Sequence, residues 1–185
     1  MGATDNGRYD DISQRRSENP LMRVLVAFGS KRGGTAGLAR MIADALTEQG
    51  CEVLVTPARD VHDIAGVDAV IIAGALYKNR WQRSARWLLW RQTAKLQMLP
   101  VWLVSSGPLN ESAAERDIAP TPQVQKLVRR VNARGHVTFG GRLHPDARGF
   151  PARAMAKRKA GDWRDPAHVQ RWVATVMAEL ESSTA

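Results

Sequence analysis

Short apolar runs rich in valine and isoleucine alternate with stretches whose apolar residues recur at helical spacing, and no other feature constrains the fold as strongly. The runs are residues 23–28 (RVLVAF), 51–56 (CEVLVT), 68–73 (DAVIIA), 100–105 (PVWLVS) and 137–140 (VTFG). Between the first two, Leu38, Ala39, Ile42, Ala43 and Leu46 recur at steps of three and four, and Gly50 stands where such a helix should end. The same spacing predicts helices over residues 81–97, 122–133 and 166–180, the last opened by Asp165 as cap and Pro166 in its first turn. A less regular stretch at 61–64 predicts one helical turn. Parallel neighbours need crossover connections, and these are right-handed. The alternation therefore predicts a doubly wound, five-stranded parallel α/β sheet of order 2-1-3-4-5 with helices on both faces. In that topology a ligand sits beyond the carboxyl ends of strands one and three, where the winding direction reverses.

At 185 residues, with 44% apolar and 24% charged, the chain has the make-up of a single globular domain. Residues 1–21 are polar with little to bury and are expected to be a disordered leader, so the domain is expected over 22–182. Met22, directly before the first strand, is a candidate start codon. One cysteine, Cys51, allows no internal disulfide, and no apolar run approaches the roughly 20 residues that cross a bilayer. The leader lacks the apolar stretch of a secretory signal, so a cytoplasmic home is expected.

The formal charge is +9, and it is clustered. Lys78, Arg80, Arg83, Arg86, Arg91 and Lys95 occur with no acidic residue among them. Arg148, Arg153, Lys157, Arg158, Lys159 and Arg164 stand against Asp162 alone. Such surfaces attract anions, but no nucleic-acid motif accompanies the charge, and nucleic acid is not an expected partner.

Three segments follow strand ends on one edge of the predicted sheet. The first is Ser30, Lys31, Arg32, Gly33, Gly34 and Thr35, between a strand and a helix start, where unpaired backbone N–H groups and the helix dipole favour a phosphate. It is neither a Walker A loop nor the dinucleotide fingerprint, and an ordinary glycine-rich turn is the competing reading. The second runs from Gly74 through Ala75, Leu76, Tyr77, Lys78 and Asn79 to Trp81, whose aromatic faces suit stacking on a planar ring. Taken alone, Trp81 reads better as the start of the next helix's buried face. The third, Ser106, Gly107, Pro108, Leu109 and Asn110, offers small residues and backbone amides to ring carbonyls and nitrogens.

At these segments the sequence resembles the flavodoxin-like family, and most closely its menaquinone-dependent protoporphyrinogen IX dehydrogenase branch, from about Arg23 to Leu180. SKRGGT matches the family's Ser/Thr-x-Thr-Gly-x-Thr with Ser30, Gly33 and Thr35 in register, and Arg32 in place of the middle threonine. Residues 74–85, 140–143 (GGRL) and 162–165 (DWRD) also resemble that branch. The resemblance implies bound FMN, its phosphate on residues 30–35 and its ring lined by 75–79 and 106–110. Two departures bear on substrate. The family's longer, aromatic segment before the last helix is here the short, basic 151–159, and Asn79 and Trp81 replace the expected residues of the ring loop.

The expected function is an FMN-dependent oxidoreductase passing electrons between a small molecule, such as a porphyrinogen, and an acceptor such as a quinone. A flavodoxin-type electron carrier and a deazaflavin-binding protein of the same fold are the alternatives. The flavin would perform the chemistry, so no side chain is nominated as acid or base. His62, His136, His144 and His168 are scattered, without a carboxylate or cysteine constellation. On the helix predicted at 81–97, Trp87 and Trp90 fall opposite the apolar face, beside Arg83 and Arg86. Such a stripe suits a second subunit or a peripheral contact with the inner face of a membrane; a wide buried arc is the competing reading.

Overall fold

The computed structural model describes residues 21–31, 33–145 and 160–183. Arg32, the body of the expected leader and the basic segment 151–159 lie outside the described residues.

Five parallel strands form the sheet: β1 (Arg23–Gly29), β2 (Glu52–Pro57), β3 (Ala69–Tyr77), β5 (Val101–Ser106) and β6 (Gly135–Phe139). A short strand, β4 (Arg80–Trp81), folds back antiparallel on the end of β3. The hydrogen-bonded order is β2-β1-β3-β5-β6. Counting the five parallel strands alone, this is the predicted 2-1-3-4-5. The registers Gly29↔Gly74, Ala75↔Ser106 and Ser106↔Phe139 bring four strand ends level along one rim.

Val24 and Val26 point to one face of β1 and Leu25 and Ala27 to the other, and all four are buried, so the central strand feeds two cores. One core holds α1 (Gly34–Glu48) and the last helix, α6 (Pro166–Ser182). Leu38, Ile42 and Leu46 of α1 are fully buried there, each worth about 1.5–3 kcal/mol of transfer free energy. The other holds α2 (Arg83–Arg91), α3 (Thr93–Leu96) and α5 (Pro122–Arg130). A single turn, α4 (Ser112–Glu115), follows β5, and β7 (Arg142–Leu143) pairs antiparallel with β8 (Gly161–Asp162) beside the rim. Among the described residues no helix is long and apolar enough to cross a membrane.

Three local expectations change. The helix predicted over 81–97 is interrupted at Gln92, whose side chain is buried and donates Nε2–H to the His62 carbonyl (2.8 Å). There Thr93 Oγ1 donates back to the Leu89 carbonyl (2.7 Å), a bond that competes with the helical ladder. No helical turn forms at 61–64; Val61 and Ile64 simply insert into the second core from an irregular loop. The segment after β3 is a hairpin instead of an open loop. Lys78 (φ 48°) and Asn79 (φ 61°) are both left-handed, the requirement of a two-residue turn whose twist matches its strands.

Candidate functional site

The turns leaving β1, β3, β5 and β6 are stitched together along the rim. Gln82 lies against Gly29, and its Oε1 accepts from Ser84 N (2.6 Å) and Ala85 N (3.4 Å), capping α2 and joining the first turn to the second. Leu76 reaches over Gly107, joining the second to the third. Gly107 N donates to the Phe139 carbonyl (2.9 Å) and Gly141 N to the Pro108 carbonyl (2.8 Å), tying the third turn to the chain entering β7. Arg142 in β7 then closes the circuit: its carbonyl lies 3.0 Å from where a Gly34 side chain would begin.

The first turn has the chemistry of an anion cradle. Gly33, at φ 81°, swings the chain into α1, and Ser30 Oγ accepts its N–H (3.0 Å). Helices α2, α5 and α6 are capped by the side chains of Gln82, Thr121 and Asp165; α1 has no side-chain cap and no acidic residue in its first turn. Among the described residues, then, no side chain caps the positive end of this 15-residue helix. Lys31 and Gly33 are exposed, Ser30 and Gly34 half-buried, and Thr35 is buried in the helix's first turn.

Ala75 is buried at the end of β3, Leu76 is half-buried, and Tyr77, Lys78 and Asn79 reach solvent at the hairpin tip. Tyr77, 39% exposed, is the aromatic side chain of this turn that faces outward. Trp81 does not. It is 2% exposed, its indole fills the space where a Gly74 side chain would stand, and its Nε1–H donates to Ser105 Oγ (2.8 Å). Its ring therefore supports the hairpin from below and presents no free face for stacking, in line with the buried reading of this residue. In the third turn Ser106 is buried and Gly107, Pro108 and Leu109 are half-buried. Asn110 is exposed, and its Oδ1 accepts from Ser112 N (3.2 Å) and Oγ (2.6 Å).

Several rim residues were not nominated from sequence. Arg142 is half-exposed beside the first turn, its Nε 3.7 Å from Asp162. Arg164 bonds Asp162 through Nε (2.7 Å) and Nη2, lays its guanidinium over Gly37, and donates from Nη1 to the Gly34 carbonyl (3.4 Å). The Arg164 hydrogen bond holds the Asp162 carboxyl below the usual carboxylate range. The GGRL stretch that leaves the fifth parallel strand was the available signal, since every other rim turn leaves a parallel strand too.

Behind the hairpin, Ser105 Oγ also lies 2.8 Å from His136 Nε2, so an indole, a hydroxyl and an imidazole are chained across β4, β5 and β6. Burial pushes the His136 pKa down to about 4. The unfolded chain takes up this proton near pH 6.5 and the folded protein only near 4, so stability is full above that window and falls as pH drops through it. The loss is on the order of 2–3 kcal/mol. In urea titrations from pH 7.5 to 4, the wild-type midpoint should fall steeply below pH 6.5, and that of His136→Gln should fall less; parallel curves would remove His136 as the cause. A separate cavity of about 590 Å³ lies between the edge strand β6, residues 117–120 and α6, and none of the nominated residues lines it. Among the described residues no cluster of three metal-ligating side chains occurs.

A protein-family model of the flavodoxin domain matches residues 25–159. The chain belongs to that family. No curated protein matches the sequence. Among solved structures, this flavodoxin-domain protein is similar to rubredoxin oxygen:oxidoreductase from Desulfovibrio gigas, with 12% identity and a TM-score of 0.62 over 95% of this chain and 40% of that one. It thus spans well under half of that oxidoreductase. A cysteine-to-serine variant of flavodoxin from Pseudomonas aeruginosa is 16% identical, with a TM-score of 0.58 over 86% of this chain and 99% of the other. Flavodoxin 2 from Bacillus cereus is 13% identical, with a TM-score of 0.54 over 85% and 99%. At these identities the likeness is one of fold.

Proposed function

We propose that this protein binds FMN at the carboxyl rim and acts as an oxidoreductase, passing electrons between a small molecule and an acceptor such as a quinone. The observation that carries the reading is the uncapped N-terminus of α1, set in the same rim as the turns after β3 and β5, in a chain of the flavodoxin family. The residues fit the group. Ser30, Gly33, Gly34 and Thr35, with Lys31 and Arg32 beside them, would take the phosphate on backbone N–H groups and hydroxyls. Ala75 to Asn79 and Ser106 to Asn110 would flank the ring, with Tyr77 as the stacking side chain. Bound FMN would supply one- and two-electron redox chemistry. The chain's own part would be to orient the ring between the two turns that Trp81 and the Gly107–Phe139 bond support.

A porphyrinogen is our candidate reductant, on the resemblance of residues 74–85 and 140–143 to the protoporphyrinogen dehydrogenase branch. The basic surface supports an acceptor or substrate that carries negative charge. A flavodoxin-type carrier is the second reading, favoured by the match to free-standing flavodoxins over nearly their whole length.

The test is the purified protein itself. It should be yellow, release FMN at about one per chain on denaturation, and turn over a porphyrinogen with a menaquinone analogue. Bound FMN without turnover would select the carrier. Failure to retain added FMN, with retention of a deazaflavin, would replace the cofactor and keep the site. Retention of neither would end the proposal.

A further inference from the structure

We propose that the outer face of α2, together with the adjoining edge of α5, docks on an anionic lipid bilayer. Trp87 and Trp90 are 55% and 59% exposed, on the side of α2 opposite its buried Ala85, Leu88 and Leu89. Met98, just beyond α3, is 84% exposed. Two indoles at that exposure, three residues apart on one face of α2, are the kind of patch that marks a contact surface.

The rings stand among cations. The Arg91 guanidinium lies 4.4 Å from the Trp87 ring centre, and Arg130 of α5 lies 3.4 Å from that of Trp90. Arg130 is fixed there by a hydrogen bond from Nε to Thr93 Oγ1 (3.0 Å). Arg83 is exposed on the same stripe of α2, and Lys126 and Arg129 are exposed on α5. No acidic residue occurs from 78 to 95 or from 118 to 145. Asp63, which approaches from the neighbouring loop, is paired with Lys95 (2.6 Å).

Charge and ring chemistry together select the occupant. A second copy related by a two-fold axis would lay this cationic face on its own image, with nothing acidic to meet it. Indoles and guanidinium groups are together the side chains that settle at a headgroup layer, the ring at the acyl boundary and the charge on phosphate. The contact would also leave chemistry unhindered. The start of α2 abuts the rim at Gly29, and the helix runs away from it, so a bilayer against Trp87 and Trp90 leaves the rim turns open.

The test uses the full chain and sonicated vesicles of phosphatidylcholine, with and without 30 mol% phosphatidylglycerol (a proportion of roughly this size gives strong surface potential). Wild type should sediment with the anionic vesicles only, lose that binding in high salt, and have its indole fluorescence quenched by brominated lipid. Trp87→Ser/Trp90→Ser should bind at least about tenfold more weakly with an unchanged thermal melt. Arg83→Gln/Arg91→Gln should also bind more weakly. Arg40→Gln/Arg171→Gln, which removes as much charge from the opposite helix layer, should bind as wild type does. Unchanged binding by the tryptophan variant overturns the proposal. So does an equal loss in the Arg40/Arg171 variant, which would mean attraction by net charge alone. A dimer that the tryptophan variant converts to monomer in sedimentation velocity, without vesicle binding by wild type, would assign the face to a second copy. None of these readouts depends on the flavin.

Discussion

Replacing Trp81 with alanine should cost about 3–5 kcal/mol of unfolding free energy, the range for removing a large buried aromatic. A domain of this kind has only about 5–15 kcal/mol to lose. The indole is 2% exposed against Gly74 and inside the second core, so its loss leaves a void between β3 and the β4 turn. It also takes away the N–H that Ser105 Oγ accepts, in a position where the serine is itself 1% exposed. Trp81→Phe separates the two contributions. It restores most of the volume, leaves the hydroxyl short of a donor, and should cost about 1–2 kcal/mol more than a conservative core change. Urea denaturation followed by far-ultraviolet circular dichroism gives both numbers. A Trp81→Ala unfolding free energy within about 1 kcal/mol of wild type would mean that the hairpin does not rest on this ring.

The second large effect concerns the anion cradle. Gly34→Asp sets a carboxylate in the first turn of α1, where the helix dipole welcomes it and a phosphate would sit. At about 5 Å and an effective dielectric of about 20, each unit of phosphate charge is opposed by about 3 kcal/mol, a loss of roughly 100-fold or more in FMN affinity. Riboflavin, which has no phosphate, should lose far less. The new Cβ approaches the Arg142 carbonyl at 3.0 Å, so β7 must shift by a few tenths of an ångström, and the riboflavin affinity reads any cost of that shift. Fluorescence titration of the apoprotein with FMN and with riboflavin reads the difference. Equal losses for the two flavins would place the phosphate elsewhere.

The two substitutions probe different levels of the same architecture, and those levels differ in how far they could be read from residues alone. The strand runs at 23–28, 68–73 and 100–105 were legible because a buried parallel strand has no polar face to disguise it, and a five-strand alternation leaves few unknotted windings. The strand-to-helix turn before α1 was legible because it depends on chain direction and on Gly33, both visible in sequence. The outward stripe of Trp87 and Trp90 followed from helical period, and both rings are exposed as that period requires. The segment 74–81 was less legible. Lys78 is an uncommon residue at a positive φ, so nothing local announced a two-residue hairpin, and it forms because Trp81 is drawn into the core opposite Leu76.

By itself, then, the order of residues determined the winding of the sheet, the rim where its strand ends meet and the glycine turn that opens α1 there. Those features rest on periodicity and chain direction, which are properties of neighbours along the chain. Only tertiary structure decided that Trp81 is a support instead of a stacking face, that Ser105 joins it to His136, and that Arg142 and Arg164 close the rim from β7 and beyond β8. These contacts join residues 24 to 130 positions apart, and they depend on which side chain fills which space once the sheet and its two helix layers have come together.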